Sequence, residues 1–295
     1  MDNRYRNIIY IILGIITLYI CYMFYSYKYN EKFSDNIYSN FSKSLNYINR
    51  KVRKGNFEYY EADKKIVDWV VNKLKSYNCN VYIHPHIYYG HPLLEFDYSH
   101  TMSNYIVLSN SDYNLLKRYY NDNNDNVIFS VGLTVIHESL HVHQRFNYDK
   151  YKQLYKMWGY IFAPKIYNFN HILKTKRQNP DADDNDILWY NKGTYYFINC
   201  FFEHDNIDAK IVNRLAYTIV KDNKGNFRYN NSEPIHLHNL QTYMNYFGRV
   251  HNNYTPNEIC AEYNEKLYMD CINQQQVFYS PAYSIFKNWY KTNVF

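Results

Sequence analysis

The sequence predicts an α+β fold, mostly helical with a small sheet, behind an N-terminal transmembrane helix. Three observations carry that prediction: an uncharged apolar run near the N-terminus, several stretches with apolar residues at helical spacing, and two short runs rich in β-branched and aromatic residues. The chain has 295 residues, 46% of them hydrophobic. That is enough apolar material to bury a core, which excludes the disordered class.

The apolar run, "NIIYIILGIITLYICYMFY", spans Asn7–Tyr25 and has no charged residue. A helix of about 19 residues reaches roughly 30 Å, the thickness of a bilayer core. Tyr19, Tyr22, Phe24 and Tyr25 thicken its exit end, as an interfacial belt does. A cleaved signal peptide fits less well, because the run is long and no small-x-small site follows it. The expectation is a single-pass membrane anchor and a membrane location. Arg4 and Arg6 precede the run and Lys28 and Lys32 follow it, so flanking charge assigns no orientation. The chain then divides into a tip and anchor (1–25), a polar stalk (26–60) and one domain (61–295).

Within that domain "EADKKIVDWVVNKLKSY" (Glu61–Tyr77) carries Ile66, Trp69, Val70 and Leu74 at helical spacing. Asn80–Tyr89 and Asn104–Ser109 read as strands. The loop Asn121–Asn126 can cap a helix running from about Val127 to Phe146. Further helices are expected at about Tyr148–Tyr160, Asn206–Val220, Leu237–Arg249 and Pro256–Gln274. Lys174–Trp189 reads as a loop and Lys221–Asn231 as a turn.

Composition narrows function mainly by exclusion. Tyr is used 38 times, whereas Gly (8) and Pro (7) are scarce. Tyr, Asn, Ile and Lys share AT-rich codons, so base-composition bias of the kind seen in an AT-rich large DNA virus or a parasite explains this better than a tyrosine-based function. The net charge of +6 is mild and its basic residues are spread out, apart from "NRKVRK" at Asn49–Lys54. No nucleic-acid module is present, and nucleic acid is not an expected partner. None of the five cysteines forms a CxxC pair, so a cysteine zinc site is not expected. Cys79, Cys200, Cys260 and Cys271 remain available for disulfides.

The stretch "VIHESLHVHQRF" (Val135–Phe146) points to chemistry. Residues four apart on a helix lie one turn apart on the same face, so His137 and His141 can turn ring nitrogens toward one ion. Glu138 sits beside them as a candidate general base. This is the HExxH pattern: two Zn2+ ligands and a carboxylate that accepts a proton from water. The bland alternative is a pair of core histidines satisfied by hydrogen bonds. His143, two residues beyond His141, points elsewhere and reads as a supporting or surface residue.

Hydrolytic zinc sites usually take a third protein ligand. A further histidine six residues after His141 is absent, since that position is Asn147. "YTPNEICAEYNEKLY" (Tyr254–Tyr268) places Glu258 and Glu262 four apart behind a helix-starting Pro256. "FFEHDNIDAK" (Phe201–Lys210) offers Glu203, His204 or Asp208 as alternative ligands. Here the chain resembles the gluzincin, thermolysin-like, metallopeptidases. Their second motif is Asn-Glu followed four residues later by an acid, matched by Asn257, Glu258 and Glu262, with Glu in place of the usual Asp. The resemblance implies a zincin-like catalytic domain, Glu258 as third ligand, Glu262 as a carboxylate holding a histidine ring, and a peptide or protein substrate. It covers two short motifs, separated by more residues than in thermolysin. "HESLHVHQR", followed later by "RQNPD" (Arg177–Asp181) and "PNE", also looks similar to uncharacterised HExxH proteins of large DNA viruses and microbes. No histidine follows Glu258, so a donor to a developing oxyanion would be Tyr263, Tyr279 or an upstream histidine among His84, His86, His236, His238 and His251.

Overall fold

The computed structural model describes residues 59–92, 97–102, 104–163, 165–177, 187–202 and 212–294. The first layer is built from β1 (Tyr59–Glu61), α1 (Lys64–Lys75), β2 (Ile87–Gly90), β3 (His100–Met102), β4 (Tyr105–Leu108) and α2 (Asn110–Asn121). Its sheet runs β1-β2-β4-β3, with β2 and β4 parallel and the other pairs antiparallel. Asp63 caps α1 by accepting from the Lys65 amide, and Ser109 caps α2 by accepting from Asp112. One face of α1 (Ile66, Val67, Val70, Val71 and Leu74) is buried against β2, β4 and the start of the next long helix.

A 3-10 turn at Asp125–Phe129 leads into α3 (Val131–Phe146) and then α4 (Tyr148–Met157). Gly132 is required in the first turn of α3. A Cβ there would lie 2.8 Å from the Val127 carbonyl oxygen and 3.0 Å from a Leu74 methyl. β5 (Tyr160–Phe162), β6 (Ile166–Tyr167), the short α5 (Asn170–Leu173), β7 (Ile187–Asn191), β8 (Thr194–Phe202), β9 (Val212–Lys221), β10 (Phe227–Tyr229) and β11 (Ile235–His236) follow. They form a second sheet ordered β5-β7-β8-β9-β10-β6, with β11 paired to β9. α6 (Gln241–Phe247), α7 (Pro256–Ile272) and α8 (Pro281–Asn293) complete the chain.

Alternation along β8 explains how the second sheet is covered on both faces. Ile198 and Cys200 join a core shared with α3, α4, α6, α7 and α8, while Phe197 and Phe201 join a separate aromatic cluster with Phe169, Tyr217 and Tyr229. α3 lies between the two larger cores: Leu140 belongs to one, and Val135, Ile136 and Val142 belong to the other. Asn264 of α7 donates from Nδ2 to the Ile136 carbonyl at 3.0 Å, fixing α7 against α3. Arg145 donates to Thr101 Oγ1 at 2.7 Å, tying α3 to β3.

The expected mostly helical fold with a small sheet is corrected here. Among the described residues there are eleven strands, and one sheet has seven. The helix expected at Asn206–Val220 is overturned from Val212 onward by β9, which pairs antiparallel with β8. "RLAYTIV" is β-branched and aromatic, with Leu215 and Tyr217 on one face and Ala216 on the other. β7 and β8 cover a stretch for which no strand is expected from the sequence. α8 is likewise unexpected, although Ser280 followed by Pro281 is a helix-start signal and Ser280 does cap it. Tyr59 and Tyr60, assigned above to the stalk, pair with Tyr89 and Gly90.

The membrane location is also corrected: no helix among the described residues is long and apolar enough to cross a membrane, so the structure gives a single-pass anchor no support. Asn7–Tyr25 lies outside the described residues. Cys79 and Cys271 form a disulfide, while Cys200 and Cys260 are free and buried.

Candidate metal centre

α3 is an apolar helix buried nearly all round, and His137, Glu138 and His141 lie within that buried length. Helical spacing brings the Nε2 atoms of His137 and His141 to 3.2 Å from each other. The third side chain arrives from α7. Pro256 opens that helix and Thr255 caps it by accepting from the Glu258 amide. Glu258 therefore sits in the first turn, where the helix dipole favours a carboxylate. Its Oε2 is 3.3 Å from His137 Nε2 and its Oε1 is 3.7 Å from His141 Nε2. His137, His141 and Glu258 are all buried, and their ligand atoms lie within 4.8 Å of one another. This triad can hold a metal ion.

The surroundings decide which atoms face inward. His137 donates from Nδ1 to Glu265 Oε1 at 2.6 Å. His141 donates from Nδ1 to Gln144 Oε1 at 2.8 Å. The Gln144 amide is oriented by its other end, because Nε2 donates to the Asn257 carbonyl at 3.0 Å. With both Nδ1 hydrogens committed outward, the neutral rings turn both Nε2 lone pairs toward the Glu258 carboxylate. A cation placed among these three acceptors would satisfy all of them at once. Burial would lower the His137 pKa, but Glu258 and Glu265 outweigh burial and hold it well above the ordinary histidine value. Burial would likewise raise the Glu258 carboxyl, yet His141 and His137 hold it well below the usual carboxylate range.

Glu138 is buried at 5% exposure and, with His137, lines a cleft of about 590 Å3 that also meets Arg249, His251, Glu262 and Glu265. Glu262 lines this cleft with Lys266 Nζ 3.8 Å away, and burial together with the neighbouring Glu265 pushes its carboxyl up. The ring of His137 is held by Glu265, seven residues after Glu258, and not by Glu262 four residues after it. Positions three, four and seven along a helix share one side, so the sequence signal for Glu265 was a third acid in that register.

Glu203, His204 and Asp208 lie outside the described residues. Tyr263 is fully buried and donates to the Phe247 carbonyl at 2.6 Å, away from the cleft, whereas Tyr279 is 73% exposed. Of the upstream histidines, His251 lines the cleft with His137 and Glu138. His84 is occupied elsewhere, its amide donating to Ser139 Oγ and its ring bonded to the Asn104 carbonyl. His143 bonds Tyr151 and packs on Tyr82. Comparison with protein-family models, curated proteins and solved structures finds no match for this chain.

Proposed function

We propose that this protein is a zinc-dependent peptidase, the activity implied by its resemblance to the gluzincins. One observation carries the reading: two imidazole Nε2 atoms and a carboxylate converge at a buried point whose neighbour, Glu138, opens onto a cleft. Two histidines and one glutamate are a donor set suited to zinc, and three protein donors leave room for a fourth ligand. His137 Nε2, His141 Nε2 and the Glu258 carboxylate would hold the ion. When bound, zinc supplies Lewis acidity for a carbonyl and brings a water's pKa toward neutrality.

The remaining work belongs to the chain. Glu265 and Gln144 accept from the two Nδ1 atoms, which would leave both Nε2 lone pairs to the ion when it is bound. Glu138 would receive a water's proton on its carboxylate and deliver it to the leaving amine nitrogen. Apolar burial of α3 excludes bulk water from the donors' outer side.

The test combines zinc stoichiometry with peptide hydrolysis. The full chain should carry one zinc, and His137→Ala and Glu258→Ala should lose it. Glu138→Gln should retain zinc while its hydrolysis falls by roughly 10²-fold or more. Zinc retention in Glu258→Ala would overturn the ligand assignment. Hydrolysis at full rate by Glu138→Gln would overturn the mechanism, and a zinc-loaded chain that cleaves no peptide would leave a metal-binding protein without turnover.

A further inference from the structure

A second cavity, of about 930 Å3, adjoins the cleft at the metal centre. The two share Arg249 and His251 in their linings, which makes them adjacent halves of a groove with those two side chains at the junction. Its two halves differ in charge. The metal end presents Asp112, Glu138, Glu262 and Glu265 together with Lys266 and Arg249. The far end presents Arg214, Arg249, His236, His238 and His251, and no carboxylate among its described lining residues.

The basic end is built by the fold. Arg214 sits on β9 directly opposite Cys200 of β8, and its guanidinium lies 5.9 Å from the Tyr254 ring centre. Arg249 follows Gly248, whose φ of +78° ends α6. A Cβ at Gly248 would lie 2.5 Å from the Phe278 ring, so that close turn requires glycine, and it sends Arg249 and His251 into the groove. His236 and His238 stand with ring centres 5.6 Å apart at the end of β11.

Two guanidiniums are always charged and suit carboxylates geometrically. A groove lined by one sign of charge concentrates the opposite sign. We infer that the far half of the groove selects peptides carrying acidic side chains to one side of the bond at the metal centre. This inference rests on the peptidase reading for the identity of the ligand.

The test uses the full-length Glu138→Gln protein with one equivalent of zinc, titrated calorimetrically with two N-acetylated, C-amidated octapeptides. One has glutamate at alternate positions, and the other has glutamine there. The glutamate peptide should bind about tenfold tighter or better at low salt, with the gap narrowing as salt rises. Arg249→Glu, at an exposed position, should bring the ratio to parity or below; Arg249→Gln should give an intermediate ratio. Equal affinities, absence of binding by both peptides, or an unchanged ratio in Arg249→Glu would overturn the inference. Hydrolysis by the unsubstituted protein separates the two readings. Cleavage of both peptides with equal affinity removes only the acidic preference, while preferential binding without cleavage removes only the peptidase.

Discussion

Glu265 on α7 accepts a 2.6 Å hydrogen bond from Nδ1 of His137 on α3, a residue 128 positions earlier in the chain. That contact fixes one imidazole of the triad, so Glu265→Gln should weaken metal binding by about 10- to 100-fold. Glu262→Gln should change it much less, because Glu262 makes no such bond among the contacts of His137 described above. Competition against a chromophoric chelator measures both. Equal effects from the two substitutions would show that general negative charge, and not the hydrogen bond, sets the affinity.

His143 gives the protein an acid limb. Burial, and secondarily Lys150, lowers its pKa from 6.5 to about 4. The unfolded chain therefore binds a proton on this residue that the folded chain refuses between those values. Stability is fully present above the unfolded pKa and falls as pH drops through that window. Urea midpoints measured from pH 7 to pH 4 should decline, and His143→Gln should flatten the decline. A variant with the same slope as the parent would assign the limb to other groups.

The Cys79–Cys271 disulfide joins the end of α1 to the end of α7 across 192 residues. A closure that long constrains the unfolded chain, and Cys79→Ser with Cys271→Ser should lower stability by about 2–5 kcal/mol. Denaturant titration of the oxidised parent against the double variant checks this. Unchanged midpoints would mean that the bond adds nothing to the folded state.

Gly132→Ala should destabilise the protein by about 1–3 kcal/mol, because the new methyl group would meet the Val127 carbonyl and Leu74. Thermal unfolding reads the change. A neutral result would show that the turn before α3 shifts freely.

What could be read from the sequence was local. The four-residue spacing of His137 and His141 follows from helix periodicity alone, as does Glu138 beside them. Asn257-Glu258 behind Pro256 is a helix start carrying an acid, which is enough to nominate Glu258 as a donor. The expected helix boundaries at Glu61–Tyr77, Tyr148–Tyr160 and Pro256–Gln274 lie within a few residues of those observed. The larger sheet was less accessible. β8 is buried on both faces from Phe197 to Phe202, so that stretch lacks the polar–apolar alternation that marks a half-exposed strand.

Tertiary structure alone decided which distant groups meet. Glu258, Glu262 and Glu265 each lie one helix turn from the next, and only the packing of α7 on α3, pinned by Asn264, places Glu265 and not Glu262 against His137. The turn at Gly248 brings Arg249 and His251 to the cleft. Periodicity fixes the face on which a residue lies, but the choice of partner depends on how two helices cross, and that is set by side chains spread through both cores.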